Sequence, residues 1–140
     1  MMKRPSIDEY YLSIAEAVAQ RSTCLRAQAG AIIVKNDVIV ATGYVGSPRG
    51  EKNCCDYGIC ERTEKHILPG HNYELCESVH AEANAIINAA RSGNSVYEGT
   101  IYIYFRRLDQ QKIKHGGPCI MCKRMLKNAG ISNIIIEEVV

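Results

Sequence analysis

A histidine and a carboxylate open one predicted helix in a way that ordinary core packing does not explain. His80 and Glu82 stand in "ESVHAEANAII", and the apolar spacing of this segment predicts a helix from about His80 to Arg91. The predicted apolar stripe consists of Val79, Ala83, Ile86, Ile87 and Ala90. Charged and ionisable side chains rarely enter a core without a partner, so this pair is a candidate for chemistry.

A pair of cysteines opens the next predicted helix. Cys119 and Cys122 stand in "PCIMCKRMLKNAG", where Pro118 suits the first helical position and Gly130 suits the residue just past the end. Residues three apart share one face of a helix. In an α/β sheet the helix starts gather at the carboxyl edge of the strands, where ligands bind. We therefore expect the two cysteines and His80 to converge.

One imidazole and two thiolates form a ligand set that suits Zn²⁺. Three protein ligands leave the fourth tetrahedral position open to water, which is typical of a catalytic zinc. Glu82 is then placed to move protons beside the metal. Taken singly, His80 could be a satisfied core histidine and the Cys119/Cys122 pair could be redox-active. The combination H-x-E with P-C-x-x-C is far more specific and is the signature of zinc nucleobase deaminases.

The elements that position these residues follow one another as α-ββ-α-β-α-β. Ser6 and Glu9 form a capping box that begins a helix from about Ile7 to Arg21. The apolar runs on either side of Lys35-Asn36-Asp37 predict an antiparallel hairpin. "TIYIYF" and "NIIIEEVV" are the later strands, and the helical connections between strands 2, 3 and 4 favour parallel pairing. We expect one α/β domain over residues 1–140.

The composition excludes several classes of protein. The 140 residues carry a net charge of +2, which gives no reason to expect nucleic acid or a membrane as partner. No apolar run approaches the roughly 18 residues of a membrane span, and no signal-peptide core is visible. These features predict a cytoplasmic protein. Because the seven cysteines are odd in number, they are expected to be thiols or metal ligands.

Longer segments of the sequence support the interpretation of the H-x-E and P-C-x-x-C motifs. "HAEANAI" and "PCIMC", together with "STCLRAQAGAIIVKNDVIVATGY", "GSPRG" and "NCCDYG", resemble the deoxycytidylate deaminase branch of the cytidine deaminase superfamily. The resemblance implies a three-layer α/β/α fold whose mixed sheet has an N-terminal antiparallel hairpin followed by parallel strands. It also implies hydrolytic deamination of a cytosine mononucleotide, most simply dCMP to dUMP. By the same resemblance His80, Cys119 and Cys122 hold the zinc, and Glu82 is the catalytic proton shuttle. A homo-oligomer, often a hexamer in that family, is implied as well.

The substrate contacts are where the sequence departs from this family. Val45 stands where the family usually has an asparagine that contacts the nucleotide. Residues 106–117 form an insertion that carries Arg106, Arg107, Lys112, Lys114 and His115, either as a solvated loop or as a lid or phosphate contact. Arg49, with Ser47 and Val45 in "VGSPRG", is the predicted substrate-binding set. Arg49 ranks first for the phosphate because "GSPRG" matches the family.

A second, structural zinc is expected beside residues 45–78, a stretch without clear periodicity. The resemblance suggests Cys24, Cys54, His71 and Cys76 as its ligands, and such a site would fasten this long stretch. Cys60 could replace Cys54 or Cys76, and Cys55 and His66 are further candidates. The alternative is that Cys24 is a core residue and the others are free thiols.

Two other functions stay open at this point. The same core motif serves deaminases of cytidine, guanine or tRNA adenine, although the nearly neutral chain gives no basic stripe for tRNA. An inactive, metal-stabilised nucleotide-binding protein would also keep the ligands. Glu82 argues against that, since a structural zinc needs no carboxylate beside it.

Overall fold

The structure is a computed structural model that describes residues 1–109 and 116–140. Its helices are α1 (Ile7–Ala19), α2 (Cys54–Tyr57), α3 (Glu61–Glu64), α4 (Ala81–Arg91) and α5 (Ile120–Asn128), with a 3₁₀ turn at Tyr73–Leu75. The strands are β1 (Ala27–Lys35), β2 (Val38–Tyr44), β3 (Thr100–Arg107) and β4 (Asn133–Val139). None of the helices in the described ranges is both long and apolar enough to cross a membrane.

The four strands form one mixed sheet in the order β2-β1-β3-β4. β1 is antiparallel to both β2 and β3, while β3 and β4 are parallel, so the predicted fold class is confirmed. The expected parallel pairing of β2 with β3 is wrong, because β1 lies between them. β1 is the strand with the longest buried run, and such a strand belongs in the centre of a sheet, whereas β2 alternates in exposure as an edge strand does.

Helices cover both faces of the sheet and make three layers. α1 packs on one face, where the core consists of Tyr11, Ala15, Ala19, Ile32, Val34, Tyr102 and Tyr104. α4 and α5 pack on the other face, where the largest core side chains are Ile33, Ile101, Ile103 and Leu126. Residues 32 and 33 of β1 therefore point to opposite layers, as the two-residue period of a strand requires.

Local sequence signals fix the first helix and the hairpin. The Ser6 side chain accepts the Glu9 N–H, and the Glu9 carboxylate accepts the Ser6 N–H, so the predicted capping box is present. α1 ends at Ala19, slightly before the predicted end. Asn36 and Asp37 both adopt positive φ, 50° and 59°, which suits the tight turn that joins twisted antiparallel strands.

α4 lies unusually close to β2. A Cβ on Gly43 would stand 2.6 Å from the Ala81 oxygen and closer still to the Ala85 nitrogen, so only glycine allows this approach. The buried face of α4 is made of small residues, Ala81, Ala83, Ala85 and Ala89, together with Glu82. Ile87, which the apolar stripe had placed inside, is 44% exposed.

Asparagine side chains fasten α4 and the residues just after it to the outer edge of β2. The side-chain amides of Asn84, Asn88 and Asn94 donate to the backbone oxygens of Tyr44, Thr42 and Val40, at 2.8, 2.7 and 2.9 Å. These three carbonyls belong to alternate residues, so they point to the same side of the strand. We refer to these three contacts as the asparagine ladder.

The stretch between β2 and α4 is not structureless, since it contains α2, α3 and the 3₁₀ turn. Its two ends are joined by a bridge in which the Val79 N–H donates to the Gly46 oxygen at 2.7 Å and the Gly46 N–H donates back at 3.2 Å. This backbone bridge fixes the chain immediately before His80.

Candidate metal centre and its cavity

Three of the predicted ligands meet at one point. The Nδ1 atom of His80 lies 3.5 Å from the Cys119 Sγ and 3.4 Å from the Cys122 Sγ. With Zn–S bonds of about 2.3 Å and Zn–N bonds of about 2.0 Å, a tetrahedral zinc separates its nitrogen and sulfur ligands by about 3.5 Å. The observed distances therefore fit a shared tetrahedral ion. Within the described part of the chain, no other group of three such residues brings its ligand atoms within 4.8 Å of one another.

The ligands converge because two helices begin at this edge of the sheet. His80 is the N-cap of α4, and Cys119 is the N-cap of α5, where its sulfur accepts the Cys122 N–H at 3.4 Å. α5 thus begins two residues later than predicted: Pro118 precedes the cap instead of opening the helix. Backbone N–H groups at a helix start favour a thiolate.

The electrostatics of the two sulfurs favour one negative charge between them. The hydrogen bond from Cys122, followed by the contact with His80, lowers the pKa of the Cys119 thiol. The same bond to Cys119, followed by burial, raises the pKa of Cys122. The bond to Cys119 also raises the pKa of His80. A bound cation would take the place of the shared proton and satisfy both sulfurs.

Glu82 lies in the first turn of α4, beside this ligand set and outside it. It is only 9% exposed, and burial raises the pKa of its carboxyl group. Its nearest ionisable neighbours include His80 and Cys122. A buried carboxyl next to a metal ligand set is suited to taking up and releasing a proton.

The metal ligands and Glu82 line one cavity with a volume of about 160 Å³. Apolar walls come from Val45, Ile103 and Phe105, and positive side chains come from Arg26, Arg62 and Arg107. Arg26 and Arg107 both contact the carboxylate of Asp109, which accepts from the two Nε atoms at 3.4 and 2.5 Å. The cavity thus has the mix of apolar surface and few polar groups that small-molecule sites show.

The predicted substrate-binding residues are only partly brought to this cavity. Val45 lines it and is 8% exposed. Arg49 is exposed outside the cavity wall and donates to the side-chain oxygen of Asn88 on the outer face of α4, at 2.6 Å. Ser47 is also outside the wall, and its buried Oγ has no hydrogen-bond partner among the described residues.

The predicted insertion is only partly described. Arg106 is exposed, while Arg107 is buried and paired with Asp109. Lys112, Lys114 and His115 lie outside the described residues.

The residues predicted for a second metal do not form a compact ligand set. Cys24, Cys54 and Cys76 line the cavity together with Cys60, but their sulfurs are not within the spacing that the first set shows. His71 does not join them: it is exposed and outside the cavity wall. Cys60, which the sequence offered as a substitute for Cys54 or Cys76, lines the same cavity.

Arg62 and Tyr73 are site residues that the sequence did not indicate. The Arg62 guanidinium carbon lies 5.0 Å from the centre of the Tyr73 ring, and this ring meets His80 edge-on at 5.2 Å. Both residues belong to the irregular stretch before α4, where hydrophobic periodicity gives no information on burial.

Comparisons with known proteins agree with this geometry. The family model described as the cytidine and deoxycytidylate deaminase zinc-binding region matches residues 5–138. A deoxycytidylate deaminase of Mycobacterium phage D29 is 34% identical over 142 residues, covering 98% of this chain and 98% of the phage protein. A deoxycytidylate deaminase of Schizosaccharomyces pombe is 32% identical, over 94% of this chain and 37% of the yeast protein. The crystal structure of dCMP deaminase from the cyanophage S-TIM5 with dCMP and dUMP superposes with a TM-score of 0.71 at 28% identity, covering 99% of this chain and 86% of that chain.

Proposed function

Because the chain belongs to the cytidine and deoxycytidylate deaminase family, we propose that it hydrolyses dCMP to dUMP and ammonia. One observation carries the proposal. Three ligand atoms stand at tetrahedral zinc spacing, and a buried carboxyl group lies beside them in the same cavity. The relatives named as deoxycytidylate deaminases, and the similar structure that contains dCMP and dUMP, support the choice of substrate.

In this proposal His80, Cys119 and Cys122 hold Zn²⁺ through one nitrogen and two sulfurs. When bound, the ion supplies Lewis acidity that can lower the pKa of a bound water molecule to about 7. The apolar wall formed by Val45, Ile103 and Phe105 keeps bulk water away from the base. At the start of α5 the Cys122 N–H donates to the Cys119 Sγ and so holds that sulfur in place.

Glu82 moves the protons that the reaction requires. Burial raises the pKa of its carboxyl group, and a buried carboxyl group beside the ligand set suits general acid–base work. It accepts a proton from the attacking water and delivers it to N3 of the cytosine ring as the water oxygen bonds to C4. It then takes the proton of the new hydroxyl group and delivers it to the amino group, so that the C4–N bond breaks, ammonia leaves and the C4 carbonyl forms.

Replacing Glu82 with glutamine tests this role. The variant keeps the size and hydrogen-bonding shape of the side chain but cannot exchange protons. We expect it to retain zinc and to lose about 10²–10⁴-fold in kcat, the usual contribution of a positioned acid–base group. Ammonia release and elemental analysis measure the two properties, and the exposed Glu77→Gln serves as the matched control. Near-normal turnover by Glu82→Gln would refute the assignment.

A panel of substrates tests the reaction itself. We expect ammonia from dCMP at a rate well above that from CMP, deoxycytidine or guanine. Fastest release from guanine or from the free nucleoside would assign the chain to another substrate class. No release from any member of the panel by the zinc-loaded protein would favour a nucleotide-binding protein without activity.

We also propose a second, structural zinc held by Cys24, Cys54, Cys76 and Cys60. The four cysteines line the same cavity, and burial, followed by smaller contributions from the charges of the neighbouring cysteines, raises the pKa values of Cys24 and Cys54. A divalent ion would remove the repulsion between their thiolates. The small movement that draws the sulfurs together would fasten α2 and the start of α3 to the beginning of β1. Homo-oligomerisation and a cytoplasmic location stay predictions from the sequence.

A further inference from the structure

Arg62 has more hydrogen-bond donors than the described residues satisfy, although its side chain is almost entirely buried. It is 7% exposed and lines the cavity that contains the metal ligands. Its Nη2 atom donates to the backbone oxygens of Leu68 and His71, both at 2.9 Å. The Nε–H is buried and has no acceptor among the described residues. A guanidinium group carries five N–H donors, so those that remain are available to a ligand.

Its charge is also not matched by a carboxylate in the described part of the chain. Of the three arginines in the cavity wall, Arg26 and Arg107 share Asp109, but no carboxylate of residues 1–109 and 116–140 pairs with Arg62. An uncompensated buried charge is costly, and proteins normally pair it. The thiolates of Cys119 and Cys122 would not act as counter-ions to Arg62, because a bound Zn²⁺ would neutralise both of them.

The position of Arg62 fits one end of a nucleotide. Its guanidinium carbon lies 5.0 Å from the Tyr73 ring centre, and that ring centre lies 5.2 Å from the His80 ring centre. Arg62 is therefore within about 10 Å of the metal-binding imidazole. A mononucleotide with its base at the metal carries its phosphate on the far side of the sugar, at a comparable separation. Its phosphate bears close to two negative charges near pH 7.

We propose that Arg62 binds the 5′-phosphate of the nucleotide substrate in this cavity. The inference rests on the proposed function, since it takes the substrate to be a monophosphate. The bonds from Nη2 to Leu68 and His71 fix the plane of the guanidinium group, and the remaining Nε–H and Nη1–H groups can donate charge-assisted hydrogen bonds to phosphate oxygens. Arg49, which the sequence favoured for the phosphate, instead donates a hydrogen bond to Asn88 outside the cavity.

The test compares two ligands that differ only in the phosphate. The dissociation constants of dUMP and deoxyuridine are measured by calorimetry on the zinc-loaded protein, the Arg62→Gln variant and the Arg49→Ala variant. We expect Arg62→Gln to raise the dissociation constant of dUMP roughly 10- to 100-fold, as for loss of a hydrogen-bonded charge. The dissociation constant of deoxyuridine should rise less than about threefold. Arg49→Ala should leave both constants unchanged.

Equal losses for the two ligands in Arg62→Gln would show that Arg62 only supports the fold, and the inference would be overturned. A dUMP-selective loss in Arg49→Ala in place of Arg62→Gln would overturn it too. If Arg62→Gln does not fold, Arg62→Lys decides in the same way, because lysine keeps the charge but lacks the Nε–H and Nη1–H donors. Failure of the proposed function is a separate result: the wild-type protein would bind dUMP through Arg62 and yet release no ammonia from dCMP.

Discussion

Replacing Gly43 with alanine tests whether the close approach of α4 to β2 sets the geometry of the metal centre. A Cβ at this position would stand 2.6 Å from the Ala81 oxygen and 2.8 Å from the Asn84 carbonyl carbon, besides an even closer contact with the Ala85 nitrogen. Ordinary contacts between such atoms begin near 3.5 Å, so the helix must move away by about 1 Å. All three contacts are backbone atoms, which cannot turn aside.

A shift of this size would act directly on the chemistry. α4 carries His80 and Glu82, whereas Cys119 and Cys122 belong to the start of α5. Moving α4 alone would lengthen the distances of 3.4 and 3.5 Å between the His80 Nδ1 and the two sulfurs. A misplacement of about 1 Å can cost on the order of 10²-fold in rate. We expect Gly43→Ala to weaken zinc binding and to lower kcat/KM for dCMP by about that factor.

Gly30→Ala is the matched control on the opposite face of the sheet. A Cβ on Gly30 would stand 2.5 Å from the Ala19 nitrogen, in α1, which carries none of the proposed site residues. Both substitutions should lower the free energy of unfolding by about 1–3 kcal/mol, as overpacking does. Urea unfolding, zinc titration and steady-state kinetics are measured on both. If the two variants have the same free energy of unfolding and lose zinc affinity and rate equally, the reasoning is refuted. A general loss of stability would then explain both effects.

Two further predictions concern stability and metal content. The Tyr102 hydroxyl donates to the Asp8 carboxylate at 3.0 Å, and burial followed by this bond raises the pKa of Tyr102 to about 12. This stabilisation is therefore complete below about pH 10 and lost as the pH rises to about 12. At pH 7 we expect Tyr102→Phe to lower the free energy of unfolding by about 1 kcal/mol, and urea titrations should show this difference shrinking between pH 10 and about 12. Elemental analysis should find two zinc ions per chain, one of them lost in Cys60→Ser and neither in His71→Ala. A single zinc in the wild-type protein would remove the second site.

The metal centre could be predicted from the sequence because its residues stand in two short motifs. His80 and Cys119 each stand at a helix start, and the order of strands and helices is enough to bring helix starts to one edge of the sheet. The position of β1 between β2 and β3 was not predicted, because strand order depends on contacts between segments far apart in the chain. The available clue in the sequence was the unbroken apolar run at residues 31–34 of β1.

Two other features were missed for reasons of packing. The apolar stripe of α4 placed Ile87 inside, but the glycine on β2 lets the alanine face of the helix come closest, and Ile87 is left 44% exposed. Arg62 had no sequence signal at all. Its burial results from the fold of an irregular stretch, and the carbonyls that bind it come from Leu68 and His71.

The asparagine ladder has a consequence for how the sheet meets other molecules. β2 is an edge strand, and the unpaired backbone of an edge strand can template the addition of a foreign strand. Asn84, Asn88 and Asn94 already occupy the outward carbonyls of alternate β2 residues, so an incoming strand would have to displace three side-chain amides to pair there. α4 and the residues just after it, which follow the candidate metal ligand His80, thus also protect the β2 edge against aggregation. A foreign strand would add more easily at the opposite edge, β4.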